Sequence, residues 1–168
     1  MTIEHIEIAA EKFGINQTIV KAIVQVESGG DIYAVRYEPD WKWFFRVSYW
    51  ASKLRITDKT ERLLQMCSFG PMQVIGANAR ENGHTGSLIE LCSWEIGLLY
   101  GCKYLKKQLV RYLDYQDAIA AYNAGSVRLN LDGTYKNQDY VDKVMKAYAS
   151  IKKEVNSWEC LTDTHYGL

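Results

Sequence analysis

Apolar residues recur at spacings of three and four through most of this chain, and glycines break the pattern. Ile3, Ile6, Ala9, Ala10 and Phe13 predict a helix over Thr2 to Phe13, stopped by Gly14. Asn16 is a good N-cap for a second helix from Gln17 to about Ser28, with Ile19, Val20, Ile23, Val24 and Val26 apolar and Gly29-Gly30 at its end. Its β-branched content would suit a strand, but the period of two is missing. Residues 31 to 69 are less regular. Tyr33 to Asp40 reads as a loop, with Pro39 restricting the backbone, and Trp41 to Met66 as two short helices. Gly70-Pro71 predicts a turn, and Met72 to Asn82 a helix closed by Gly83. Ser87-Leu88-Ile89-Glu90 fits a capping box.

A long helix follows over about Trp94 to Leu113, carried by Ile96, Leu99, Tyr100, Leu105, Leu109 and Leu113. Asp117 to Ala124 is a further helix stopped at Gly125. Leu131 to Gly133 is irregular, and Tyr140 to about Val155 is the last long helix, followed by a short, loose tail. There are no repeats, no linker and no convincing strand. The expected fold class is all-α, one globular domain over residues 1–168.

Composition narrows the function classes. The 168 residues suffice for one sizeable core, and 20 basic side chains balance 20 acidic ones. No basic excess or stripe points to nucleic acid. No run reaches the roughly 18 apolar residues that a membrane span needs. Glu4, Glu7 and Glu11 near the start do not fit a secretory signal, so synthesis in the cytoplasm without a signal peptide is expected. Cys67, Cys92, Cys102 and Cys160 show no CxxC pair and no histidine at ligand spacing, so buried thiols are expected and neither a metal nor another cofactor is implied. The 12 tyrosines, 5 tryptophans and 4 phenylalanines would suit either a core or a sugar-binding groove.

The candidate chemistry starts at Glu27. It sits in the last turn of its predicted helix, where the negative end of the macrodipole favours the protonated form, and an apolar wall would push the same way. A carboxyl that keeps its proton is what a general acid for glycosidic cleavage requires. By position alone, Glu27 could equally be an ordinary exposed glutamate at a helix end.

Three segments in order change that balance: Gln25-Val26-Glu27-Ser28-Gly29-Gly30, Ser68-Phe69-Gly70-Pro71-Met72-Gln73 and Ala121-Tyr122-Asn123-Ala124-Gly125. Together they resemble the motifs of the soluble lytic transglycosylase catalytic domain, a lysozyme-like fold related to goose-type lysozyme. Gly97 to Leu109 resembles that family's central helix and Asn137 to Tyr148 its closing segment, so the likeness spans roughly residues 15 to 150. The resemblance implies that Glu27 is the sole catalytic acid and base, with Ser28 hydrogen-bonding near it or the substrate. It further implies that Met72 and Gln73 line the groove, that Tyr122 and Asn123 orient substrate and carboxyl, and that Tyr140 is the last tyrosine of the cleft. Met72 could instead be core filling, Asn123 a turn residue and Tyr140 a packing ring.

Two departures stand out. Pro71 replaces the leucine usual in the turn and removes an N–H donor. The stretch between Glu27 and Gly70 is longer than the family's usual gap, which implies a helical insertion over about residues 36–68. It holds six aromatic residues within Trp41 to Trp50. Large rings dominate packing wherever they can be buried, so a satellite core is expected there, with a sugar-stacking wall or a partner surface as alternatives.

The resemblance implies cleavage of the MurNAc-β-1,4-GlcNAc bond of peptidoglycan without water, leaving 1,6-anhydro-MurNAc ends. A hydrolytic lysozyme would need a second carboxylate, for which Asp31, Glu38 and Asp40 are available, Glu38 foremost. A non-catalytic wall-binding module is a third alternative. The expected partner is the peptidoglycan glycan strand, with no nucleic acid, no stable membrane insertion and a monomeric state. The expected setting is a bacteriophage endolysin, or a virion-associated lysin, acting on the wall after release.

Overall fold

Five helices close a ring of contacts around the main core, in the order α1, α2, α8, α7, α6 and back to α1. The computed structural model describes residues 3–162, with side chains described over 4–154. The ring helices are α1 (Ile3–Phe13), α2 (Gln17–Ser28), α6 (Trp94–Tyr112), α7 (Tyr115–Ala124) and α8 (Gln138–Thr162). Ile23, Val20, Leu98, Leu105, Ile119, Val141 and Val144 meet at the centre and are fully buried. The capping logic of the sequence holds at α2. Asn16 accepts from the Thr18 N–H at its start, and Gly29 closes its end at φ 63°.

A smaller layer flanks the ring. It consists of α3 (Val47–Leu54), α4 (Asp58–Gln65), α5 (Gly76–Glu81) and a three-stranded sheet. The strands are β1 (Val35–Tyr37), β2 (Cys67–Phe69) and β3 (Val74–Ile75), with β2 central and both pairings antiparallel. Arg36 pairs with Ser68 and Ser68 with Ile75. The fold is mostly helical, as expected, but the expectation of no strand is corrected here. Strands of two or three residues are too short to display a period of two. β1 also lies within the stretch read as a loop, and β3 shortens the helix expected from Met72.

Other boundaries shift for local reasons. The first of the two short helices starts at Val47 rather than Trp41, because the ring-rich segment before it is irregular and Arg46 sits at φ 50°, outside the right-handed helical region. The capping box at Ser87 is present, and it opens a single 3-10 turn, Leu88–Leu91. α8 begins two residues before Tyr140 and its backbone continues to Thr162, past Val155. The rest of the expected loose tail lies outside the described residues.

Cys67 and Cys102 are buried and Cys92 is half-buried, all as free thiols, while the side chain of Cys160 lies outside the described residues. Burial pushes the Cys102 thiol up to about 12, which keeps it inert.

The Gly70-Pro71-Met72-Gln73 turn between β2 and β3 joins the two layers. α6 presents Gly97 and Gly101 to it on one face. A Cβ at Gly97 would stand 2.6 Å from Pro71 Cδ, and one at Gly101 would stand 2.3 Å from Met72 Sδ. Neither is possible without moving the turn. Gly70 adopts φ 70°, and a side chain there would meet the Leu91 carbonyl at 2.0 Å.

Candidate active site

A cleft of about 950 Å³ runs between the smaller layer and the helical ring. Glu27, Glu38, Gln73, Tyr122 and Asn123 all line it. Glu27 enters it from the last turn of α2, where Gly29 ends the helix and leaves the carboxyl beside α8 rather than another turn of α2. The Tyr140 hydroxyl, from the first turn of α8, donates to Glu27 Oε1 at 2.6 Å. Two residues 113 positions apart are thereby joined by a short hydrogen bond.

The electrostatics around Glu27 favour a retained proton. Burial is the largest influence and raises its pKa above the ordinary glutamate value. The Tyr140 hydrogen bond and the Arg36 charge oppose that rise, while the charge of Glu38 adds to it. Tyr140 and Tyr122 are both raised well above the ordinary phenol range, by burial first and by the Glu27 charge second. Tyr140 thus remains a hydrogen-bond donor throughout the range in which Glu27 titrates.

The carbonyls of the β2–β3 turn are satisfied by the other motif residues. Gln73 Nε2 donates to Gly70 O and Ala34 O, each at 3.0 Å. Ser28 Oγ donates to Pro71 O at 2.9 Å, and Tyr122 OH donates to Met72 O at 2.7 Å. Gln73 holds this position at φ 47°, a conformation that its two side-chain bonds compensate. Ser28, Gln73 and Tyr122 therefore shape the floor beside the acid through the turn backbone. Ser28 also receives the Gly30 N–H at 3.1 Å, which fixes the chain leaving α2.

Met72 requires a correction. Its side chain is 0 % exposed and lies in the main core, so the groove is not lined by it, and its contribution to the site is its carbonyl. Asn123 is exposed on the cleft wall, and its Oδ1 accepts from Asn137 Nδ2 at 3.0 Å. Asn137 also donates to Ala120 O, tying the end of α7 to the start of α8. Of the candidate second carboxylates, Glu38 and Asp40 line the cleft, whereas Asp31 caps its own loop by accepting from the Tyr33 N–H. Glu38 Oε1 is already engaged by Arg36 Nε at 2.5 Å and by Ser68 Oγ at 3.2 Å.

The ring-rich segment also departs from expectation. Trp41, Trp43, Phe44 and Phe45 line the cleft, with Trp43 66 % exposed, so the satellite core expected of this stretch is confined to Trp50, at 5 %. The segment is held from behind by buried polar groups that sequence reasoning passed over. Phe45 N donates to Gln65 Oε1 at 2.8 Å and Gln65 Nε2 donates back to Phe45 O at 3.0 Å. Gln65 Nε2 also reaches Glu61, which makes a two-point pair with Arg80 at 2.8 and 3.1 Å. Glu61 and Arg80 are 0 % and 1 % exposed, and the Arg80 guanidinium carbon stands over the Trp50 ring, 4.7 Å from its centroid. Glu61 and Arg80 are 19 positions apart, and Glu61 sits in a charged stretch that reads as a solvated helix face, so no pattern announced the pair.

Among the described residues no cluster of three or more His, Cys, Asp or Glu could hold a metal ion, and no helix is long and apolar enough to cross a membrane. The arrangement can deliver a proton from Glu27 and take one back. The model of the transglycosylase SLT domain matches residues 4–140. The chain belongs to this family. No curated protein matches the sequence. Membership makes the SLT chain a peptidoglycan-cleaving enzyme of the lytic transglycosylase class, and the cleft with Glu27 is its candidate active site.

Proposed function

We propose that Glu27 alone serves as general acid and then general base in cleaving the MurNAc-β-1,4-GlcNAc bond. The observation that carries this reading is the half-buried Glu27 carboxyl with its raised pKa, held by the Tyr140 hydroxyl. In the first step the Glu27 proton passes to the glycosidic oxygen, and the bond between that oxygen and MurNAc C1 breaks. The bonding electrons leave with the oxygen, and an oxocarbenium-like centre forms at C1. In the second step the Glu27 carboxylate takes the proton of the MurNAc C6 hydroxyl, whose oxygen bonds to C1. The product is a 1,6-anhydro end, no water is consumed, and Glu27 regains its proton.

The engagement of Glu38 with Arg36 and Ser68 supports assigning it an orienting role rather than that of a second base. Mass analysis of digested peptidoglycan tests the proposal. Glu27→Gln should lower activity about 10²–10⁴-fold, the usual worth of acid–base assistance. Asp31→Asn, Glu38→Gln and Asp40→Asn should each keep substantial activity and give anhydro products. Reducing-end products heavier by one water, together with severe loss in Glu38→Gln, would replace this mechanism by a hydrolytic one with Glu38 as the second carboxylate.

A further inference from the structure

The segment Trp41 to Phe45 lines the cleft, and the acid–base chemistry does not use it. Four of its five residues are aromatic and line the same cleft as Glu27. The rings are not loosely placed. Trp41 Nε1 donates to the Trp43 carbonyl, and the two indoles stand edge to face at 5.4 Å and 72°. The Phe44 ring carries the Arg62 guanidinium at 4.2 Å. Phe45 is clamped at both backbone atoms by Gln65, itself fixed by the buried Glu61–Arg80 pair. A surface so constrained loses little conformational freedom when a ligand arrives.

Chemistry narrows the occupant. The exposed Trp43 indole and the half-buried Trp41 indole share the cleft lining with Glu38 and Asp40, which combines flat apolar area with hydrogen-bond acceptors. A pyranose matches both: its C–H faces lie on rings and its hydroxyls donate to carboxylates. We propose that Trp41 and Trp43 form an added glycan subsite, engaging sugars of the strand beyond the bond that Glu27 cleaves. The assignment rests on reading the cleft as the glycan site. Gln65 is then a positioning residue that acts through Phe45.

Binding of neutral N-acetylglucosamine oligomers, dimer and hexamer, tests this in the Glu27→Gln background, where the ligand is not consumed. Calorimetry should show Trp43→Ala weakening hexamer binding about tenfold, the equivalent of ~1.4 kcal/mol, with dimer binding less affected and the melting temperature near that of the background. Trp41→Ala should behave in the same direction. Unchanged hexamer affinity in both variants overturns the subsite, even if Glu27→Gln abolishes lysis as the proposed function requires. Weakened hexamer binding upholds the subsite, even if Glu27→Gln still lyses cells and the assignment of Glu27 fails.

Discussion

Replacing Tyr140 with phenylalanine keeps the ring of the first α8 turn and removes the hydroxyl that touches Glu27. The lost bond is 2.6 Å long, from a neutral donor to a carboxylate. Hydrogen bonds to charged groups contribute about 1.5–3 kcal/mol. This one favours the ionised form, against the burial that raises the Glu27 pKa. Without it the carboxyl should hold its proton to higher pH and be the weaker acid. As the proton passes to the glycosidic oxygen, the emerging carboxylate would lack its donor, so cleavage should slow by up to about 10- to 150-fold, the rate equivalent of that energy. Initial rates of peptidoglycan solubilisation from pH ~4 to ~9 provide the readout, with the alkaline limb reporting loss of the acid's proton. The expected profile is lower at its maximum, with its alkaline limb displaced upward. A limb that stays in place or moves down, or a rate equal to the parent's, would refute the link between Tyr140 and the reacting carboxyl.

Stability should carry the same signature. Because burial raises the Glu27 pKa in the folded state, the unfolded chain ionises first as pH rises, and the parent loses stability across that interval. Glu27→Gln should therefore raise the melting temperature near pH ~8 and leave it unchanged near pH ~3, where the carboxyl is protonated in both states. A gain of equal size at both pH values would contradict the assigned direction. In the smaller layer, Arg80→Met leaves Glu61 buried without its cation and should cost about 3–5 kcal/mol in urea unfolding. The double variant Glu61→Leu/Arg80→Met should recover much of that loss, and equal loss in both would show that the charge left behind is not the cause.

Much of the ring of helices was legible because each of its helices carries local instructions. Asn16 and Gly29 bracket α2, Ser93 caps α6, and apolar positions recur every three or four residues between such signals. Glu27 was legible as a candidate because three short segments occur in a recognisable order, each placing a few chemical groups on one helix end or turn. The strands were not legible. β2 pairs with β1 across some thirty residues of intervening chain, and nothing within Cys67–Phe69 distinguishes it from buried helix or loop.

Within the site, the sequence singled out several of the residues that line the cleft, and the tertiary structure decided what each one touches. Ser28, Gln73 and Tyr122 were expected near substrate or acid, yet each donates to a carbonyl of a single turn. That outcome depends on where Pro71 and Met72 lie once Gly97 and Gly101 admit them against α6. The partition of the aromatic segment was likewise non-local. Trp50 is covered because α3 turns it onto Arg80, while Trp43 stays exposed and Trp41 half-buried on the cleft because Gln65 pins the Phe45 backbone beside them. A side chain's burial depends on what other parts of the chain bring to it, and local pattern carries no record of those partners. The candidate acid could be read from the order of the motifs; its raised pKa comes from burial, and the tyrosine 113 residues away, whose hydrogen bond opposes that rise, reaches it only in the folded chain.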